Sequence, residues 1–272
     1  MINPKNALTA LLTLLLLSLP PAAPAAASAT VLTPSIQAAF DLTAAVADSS
    51  SRGRLKSQYS ELSALSAQYD SREAQIRRLH DSNAQSLLAV KEKIKSIDQA
   101  NVTRLTAAAA GTKSRYQPLF DQYSALNKRI SLVKGLGDKS LNSILRAQAD
   151  AMKILVQTAR QDIRAKEAQL KAAKDARAKK TAAVRKTLAG IEGPQISIKS
   201  QKSVVSSLNK RLAADWSDFK AATRKKNPSL AGRSLTSLLS GYRQIAVSKQ
   251  RIIELEHKVS GVISTASKQI TS

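Results

Sequence analysis

A seven-residue ladder of apolar side chains constrains this chain more than any other feature. Leu62, Tyr69, Ile76, Val90 and Ile97 fall on one register, with Leu87 and Ile94 on the interleaved one. That spacing keeps one seam of a helix facing a partner, the condition for helices that wrap around each other. The period returns near the C-terminus at Leu235, Leu238, Tyr242, Ile245, Ile252, Val259 and Ile263. Aromatic residues make up only 3% of the chain, while Ala, Leu, Ser, Lys, Gln and Arg are plentiful. Those are mostly good helix formers, and small seam residues let thin helices pack closely. The prediction is an all-α protein, an elongated antiparallel helical bundle or coiled coil two to three helices thick.

The first 29 residues read as an export signal, with Lys5 before an apolar run over residues 7–19 and small residues at Ala27 and Ala29. Such a signal is cleaved near Ala29, and its run falls short of the ~20 apolar residues that span a bilayer. No later run matches it, so the mature chain is expected to carry no transmembrane segment and to be secreted, extracellular or wall-associated. The absence of Cys excludes a disulfide framework, a lipid-anchored start and thiolate or Cys-metal chemistry.

The formal net charge is +24, and it is not a tail. Basic residues outnumber acidic ones by 15 to 7 over residues 52–134, by 13 to 5 over 138–190 and by 14 to 5 over 191–272. Each third is therefore basic by +8 or +9. An even distribution suits a repeating polyanion better than a point ligand.

Residues 30–51 form a lead-in, with a helix start at Thr33-Pro34 and a break at Asp48-Ser49-Ser50-Ser51. The remaining residues, 52–272, read as one coiled-coil domain with turns near 135–138, 190–194 and 227–229. Near Asn101 the apolar phase slips by one residue and resumes as Leu105, Thr112, Leu119, Leu126 and Val133. A slip of that kind changes the supercoil locally without ending the helix. Gly111 and Pro118 predict a kink or a break, so residues 52–134 are either one bent helix or two abutting ones. The next helix carries Leu141, Leu145, Met152, Leu155, Ile163 and Leu170 as its ladder. A weak internal echo pairs residues 124–130 with 206–212 and 140–145 with 234–239, each pair straddling a turn. Duplication and chance similarity both account for it.

The residues that could carry chemistry are few. His80 and His257 are the only imidazoles. Glu254 and His257 make one Glu-x-x-His step, where a carboxylate-bridged metal centre needs two such steps and further glutamates. His80, on a seam register, reads as a polar interruption. No phosphate loop, nucleophile elbow or paired-His motif is present, so the chain is expected not to be an enzyme and to need no cofactor or metal. Asn83 and Asn101 fall on seam positions, where a buried Asn fixes register and an exposed one does not. Trp216 and Phe219, spaced i, i+3, read as a packing knot. The tyrosines recur at seam-like positions, which favours burial over base stacking.

The most charged helical stretch is 164–186, where Arg164, Lys171, Lys174, Lys179, Arg185 and Lys186 share one broad helical face. Such a face could follow phosphates by counterion release, or could be a solvated surface. In architecture alone the chain resembles the helical coiled-coil regions of exported bacterial envelope proteins, a likeness without a defining motif. Three functions fit: electrostatic association with anionic cell-wall polymer or an anionic membrane surface; non-specific extracellular nucleic-acid binding; or a coiled-coil adaptor or homo-oligomer whose seam binds protein.

Overall fold

The computed structural model describes residues 30–271, so the expected export signal over residues 1–29 lies outside it. The protein is an all-α helical bundle. Its elements are α1 (Pro34–Ala45), α2 (Ser49–Ser96), α3 (Gln99–Leu136), α4 (Lys139–Ala189), α5 (Glu192–Arg224) and α6 (Pro228–Thr271). Among the described residues, no helix is long and apolar enough to cross a membrane.

Several helix boundaries have a local cause. Thr33 Oγ1 accepts from Ile36 N at the start of α1, where Pro34 needs no donor. The far end of α1 is closed by Arg52, whose guanidinium donates to the carbonyls of Ala44, Ala45 and Ala47 at 2.8–3.1 Å. Gly137 (φ 78°) ends α3 in the left-handed region that glycine tolerates, and Asp138 Oδ1 then accepts from Leu141 N at 2.9 Å. Asn227 does the same for α6, accepting from Leu230 N at 3.1 Å.

The phase slip expected within one helix near Asn101 is a true interruption a few residues earlier. Asp98 adopts φ 49°, and the helix stops at Ser96 and restarts at Gln99. One residue in the left-handed region resets the apolar phase, which a continuous helix would have to absorb as supercoil. By contrast α3 runs uninterrupted through Gly111 and Pro118.

The described residues divide into two compact units. The first comprises residues 30–85 and 190–261. Here α2 and α6 run parallel: Gln58 meets Thr236, Arg72 meets the Ala246 carbonyl and His80 meets Glu256. α5 runs antiparallel to both, with Asn209 on Tyr69 and Asp215 on Ser237. The core joins Leu55, Leu62, Leu212, Leu235, Leu238 and Ile245 to an aromatic group. Phe40 of α1 stacks on Tyr59 at 4.3 Å, and Trp216 stacks on Phe219 at 5.2 Å. The lead-in helix is therefore part of this core, held further by Thr43 donating to the Thr223 carbonyl.

The second unit comprises residues 86–189 and 262–271. Its main feature is the antiparallel hairpin of α3 and α4, joined by Lys113–Glu167, Arg115–Asp162 and Asn142 to the Ile130 carbonyl. The hairpin seam on α4 uses Ala149, Val156 and Ala159, all buried, with Leu145, Met152 and Ile163 half-buried. Leu141 and Leu155, expected in that ladder, face outward at 43% and 58% exposure. No residue between Thr112 and Ala149 is buried, because only two helices meet there.

Two glycines test the packing. A Cβ on Gly241 would sit 2.6 Å from Leu212 Cδ2, so α5 and α6 approach closely at that point. Gly111 has nothing within 4 Å of such an atom. Gly111→Ala should stabilise the protein by about 0.5–1 kcal/mol through helix propensity alone, read by thermal loss of helical circular dichroism. Gly241→Ala should instead cost about 1 kcal/mol, because buried Leu212 must leave its rotamer, read by urea titration of Trp216 fluorescence.

Candidate polyanion-binding face and the buried polar seam

All six residues of the basic face, Arg164, Lys171, Lys174, Lys179, Arg185 and Lys186, are exposed on α4. They cover about 33 Å of helix at 1.5 Å per residue. Among the described residues none of the six enters an ion pair or a hydrogen bond, unlike Lys113 and Arg115 on α3. Their charge therefore remains uncompensated by direct partners. Two carboxylates share the face by helical position. Asp175 is exposed, and Glu167 is held by Lys113 at 2.6 Å. Arg164 also lines an open groove of about 550 Å³ between α3 and α4, with Arg160, Phe120, Tyr123 and Asn127. The inward side of α4 is anchored by Val184 and Leu188, and Arg177 donates to the Lys95 carbonyl at 3.0 Å.

A second polar feature was hidden inside the first unit. Lys249 and Glu256 are only 1% and 2% exposed. They stand seven residues apart on α6, on the same register as Tyr242 and Ile263. Lys249 Nζ lies 2.7 Å from Glu73, donates to the Tyr69 carbonyl at 3.1 Å and sits 3.1 Å above the Tyr69 ring centroid. Burial, the largest influence, lowers the Lys249 pKa below 10.5, and Glu73 opposes it. One heptad on, Glu256 pairs with His80 Nδ1 at 3.0 Å and accepts from Asn83 Nδ2 at 2.8 Å, while Asn83 also reaches the Glu256 carbonyl. Burial is the largest influence on that carboxyl and pushes its pKa up. Hydrogen bonds from His80 and Asn83, with the charges of His80 and Lys202, together outweigh it and hold the pKa below 4.5.

The signal for this pair was present in the sequence. The α6 ladder steps over positions 249 and 256, and α2 carries Glu73, His80 and Asn83 on its own seam registers. Ionisable residues on a seam require buried partners. Which residues would answer them depends on α2 and α6 running parallel, which the ladder does not encode. Of the two seam asparagines, Asn83 is buried and paired, whereas Asn101 is exposed and accepts from Arg104. Glu254, read with His257 as a weak metal step, instead meets Arg251 at 3.0 Å. Among the described residues there is no cluster of three or more metal-ligating side chains.

Removing Glu256 would leave His80 and Asn83 facing an empty position. Glu256→Ala should cost about 3 kcal/mol, measured by urea unfolding of Trp216, which lies in the same unit. Because the folded pKa of Glu256 is below its ordinary value, the stabilisation is complete above pH 4.5 and is lost as pH falls through the lower folded value. Glu256→Gln should therefore flatten the stability–pH profile below 4.5 while lowering stability at neutral pH.

No protein family, curated protein or solved structure matches the chain.

Proposed function

We propose that this protein is an exported, basic helical-bundle protein that associates electrostatically with anionic polymers of a bacterial cell envelope, with a structural rather than catalytic role. The observation that carries the reading is the net charge of +24, positive in every third of the chain, together with six exposed and unpaired cations along α4. A charge repeated over tens of ångströms binds a phosphate-bearing polymer by releasing its counterions, a gain that grows with the number of contacts. The export signal read over residues 1–29 supplies the compartment. Extracellular nucleic acid shares the same phosphate chemistry and is the second polymer to test. The seam residues Leu62, Tyr69, Leu235 and Leu238 are covered within the first unit, which directs attention to the charged surface rather than to the seam.

The test is co-sedimentation of the mature chain with purified cell walls, intact and stripped of anionic polymer, across a salt series. Binding should vanish both on stripping and at high salt. On a flexible phosphate polymer each contact contributes roughly −0.7 to the slope of log K against log salt. Replacing Arg164, Lys171, Lys174, Lys179, Arg185 and Lys186 together with Gln should thus flatten that slope by about four. Equal retention on intact and stripped walls would overturn the reading.

A further inference from the structure

The end of the α3–α4 hairpin presents apolar side chains that no other part of its unit covers. Leu132 and Leu136 on α3 are 69% and 83% exposed, and Leu141 and Ile144 on α4 are 43% and 55% exposed. All four lie within seven residues of Gly137, so they occupy about the last 10 Å of the hairpin at 1.5 Å per residue. Single exposed leucines are ordinary, but four grouped at one reversal exceed what the hairpin's own seam requires. Around them stand Lys128, Arg129, Lys134, Lys139 and Arg146, all exposed. Asp138 is the one carboxylate between positions 122 and 149, and its Oδ1 is occupied in capping α4.

We infer that this hairpin end docks on an anionic lipid surface, its four apolar side chains entering the boundary between headgroups and acyl chains while the five cations meet the headgroup phosphates. The dimensions agree: interfacial helical segments bury their apolar side about 5–10 Å deep, and the apolar cluster is about that tall. Lys and Arg stems can follow apolar surface while their charged ends stay at the phosphates. The chemistry selects this occupant over a second copy of the chain, which would bring an identical cationic collar against this one. It also implies docking without crossing, because no described helix could span a bilayer. The inference deepens the envelope reading and rests on it for the presence of an anionic surface, but it names lipid as what this end meets.

The experiment compares the mature chain with Leu136→Ser/Ile144→Ser, both exposed positions whose change leaves the core intact. Vesicles of phosphatidylglycerol and of phosphatidylcholine are titrated in low and high salt, and the wall co-sedimentation is run in parallel. The native chain should bind phosphatidylglycerol vesicles, with a residual fraction persisting at high salt, and bind phosphatidylcholine weakly. The double variant should bind phosphatidylglycerol about tenfold more weakly and sediment with walls unchanged. Since the chain contains no cysteine, Leu136→Cys can carry a polarity-sensitive dye at one site, whose emission should shift blue on the anionic vesicles. Equal vesicle binding by native chain and variant, or an unshifted dye, would overturn the inference while leaving wall binding to judge the envelope reading separately. A concentration-dependent dimer abolished by the double variant would also overturn it, assigning this end to a second copy. Wall binding lost on intact walls, with lipid binding retained, would count against the polymer reading alone.

Discussion

The packing of the first unit depends on two buried ionisable side chains of α6, Lys249 and Glu256, finding polar partners on the parallel α2. Glu73 with Lys249 and His80 with Glu256 are separated by seven residues on both α2 and α6, so one register satisfies both. The polarity alternates, with the acid on α2 in the first pair and on α6 in the second. Sliding α6 by one heptad in one direction would set Glu256 against Glu73. Sliding it the other way would set Lys249 against His80 and leave Glu256 beside Leu87. An apolar heptad seam alone tolerates such slips, because every heptad offers similar surface. Two opposed charges buried in sequence make each wrong register pay a desolvation cost that no partner offsets.

That register then places everything else in the unit. With α2 and α6 fixed in parallel, α5 runs back against both and brings Trp216 and Phe219 to the end where α1 docks. Phe40 on α1 closes the aromatic group against Tyr59 and Phe219. The lead-in segment is short and only weakly amphipathic, so it gains its order from this aromatic contact, from Thr43 on the Thr223 carbonyl and from the Arg52 guanidinium at its C-terminus. Buried Thr30, hydrogen-bonded to Tyr242, ties the very start of the described chain to the same core.

The hairpin of α3 and α4 follows a different logic. Two helices cannot enclose a core, so their seam stays half-buried from Lys113 to Gln148 and their outer faces carry charge and uncovered leucines. A surface of that kind is available for contact with something outside the chain. The unpaired cations of α4 and the apolar hairpin end are the two chemical offers it makes, one to phosphate and one to an amphiphilic surface. The apolar hairpin end stays uncovered because no third helix reaches it, whereas the cations of α4 stand on the outward side of a helix whose inward side is held by Val184, Leu188 and the Arg177 bond to the Lys95 carbonyl.

The helical state, the heptad seams of α2 and α6 and the distributed positive charge were all legible in the chain before any packing was known. These are local or additive properties: periodicity follows from side-chain spacing along one helix, and net charge from a count. Leu62, Tyr69, Ile76, Val90 and Ile97 are all buried, as their ladder requires. The basic residues of α4 were legible for the same reason, since a helix wheel is enough to place them on one face. Tertiary structure alone decided the rest. The parallel pairing of α2 with α6, the partners of Lys249 and Glu256, and the exposure of Leu141 and Leu155 each depend on which helices meet and in which direction. A heptad pattern is nearly blind to direction and depth of cover. Only assembled neighbours determine which seam residues find partners and which are left to solvent.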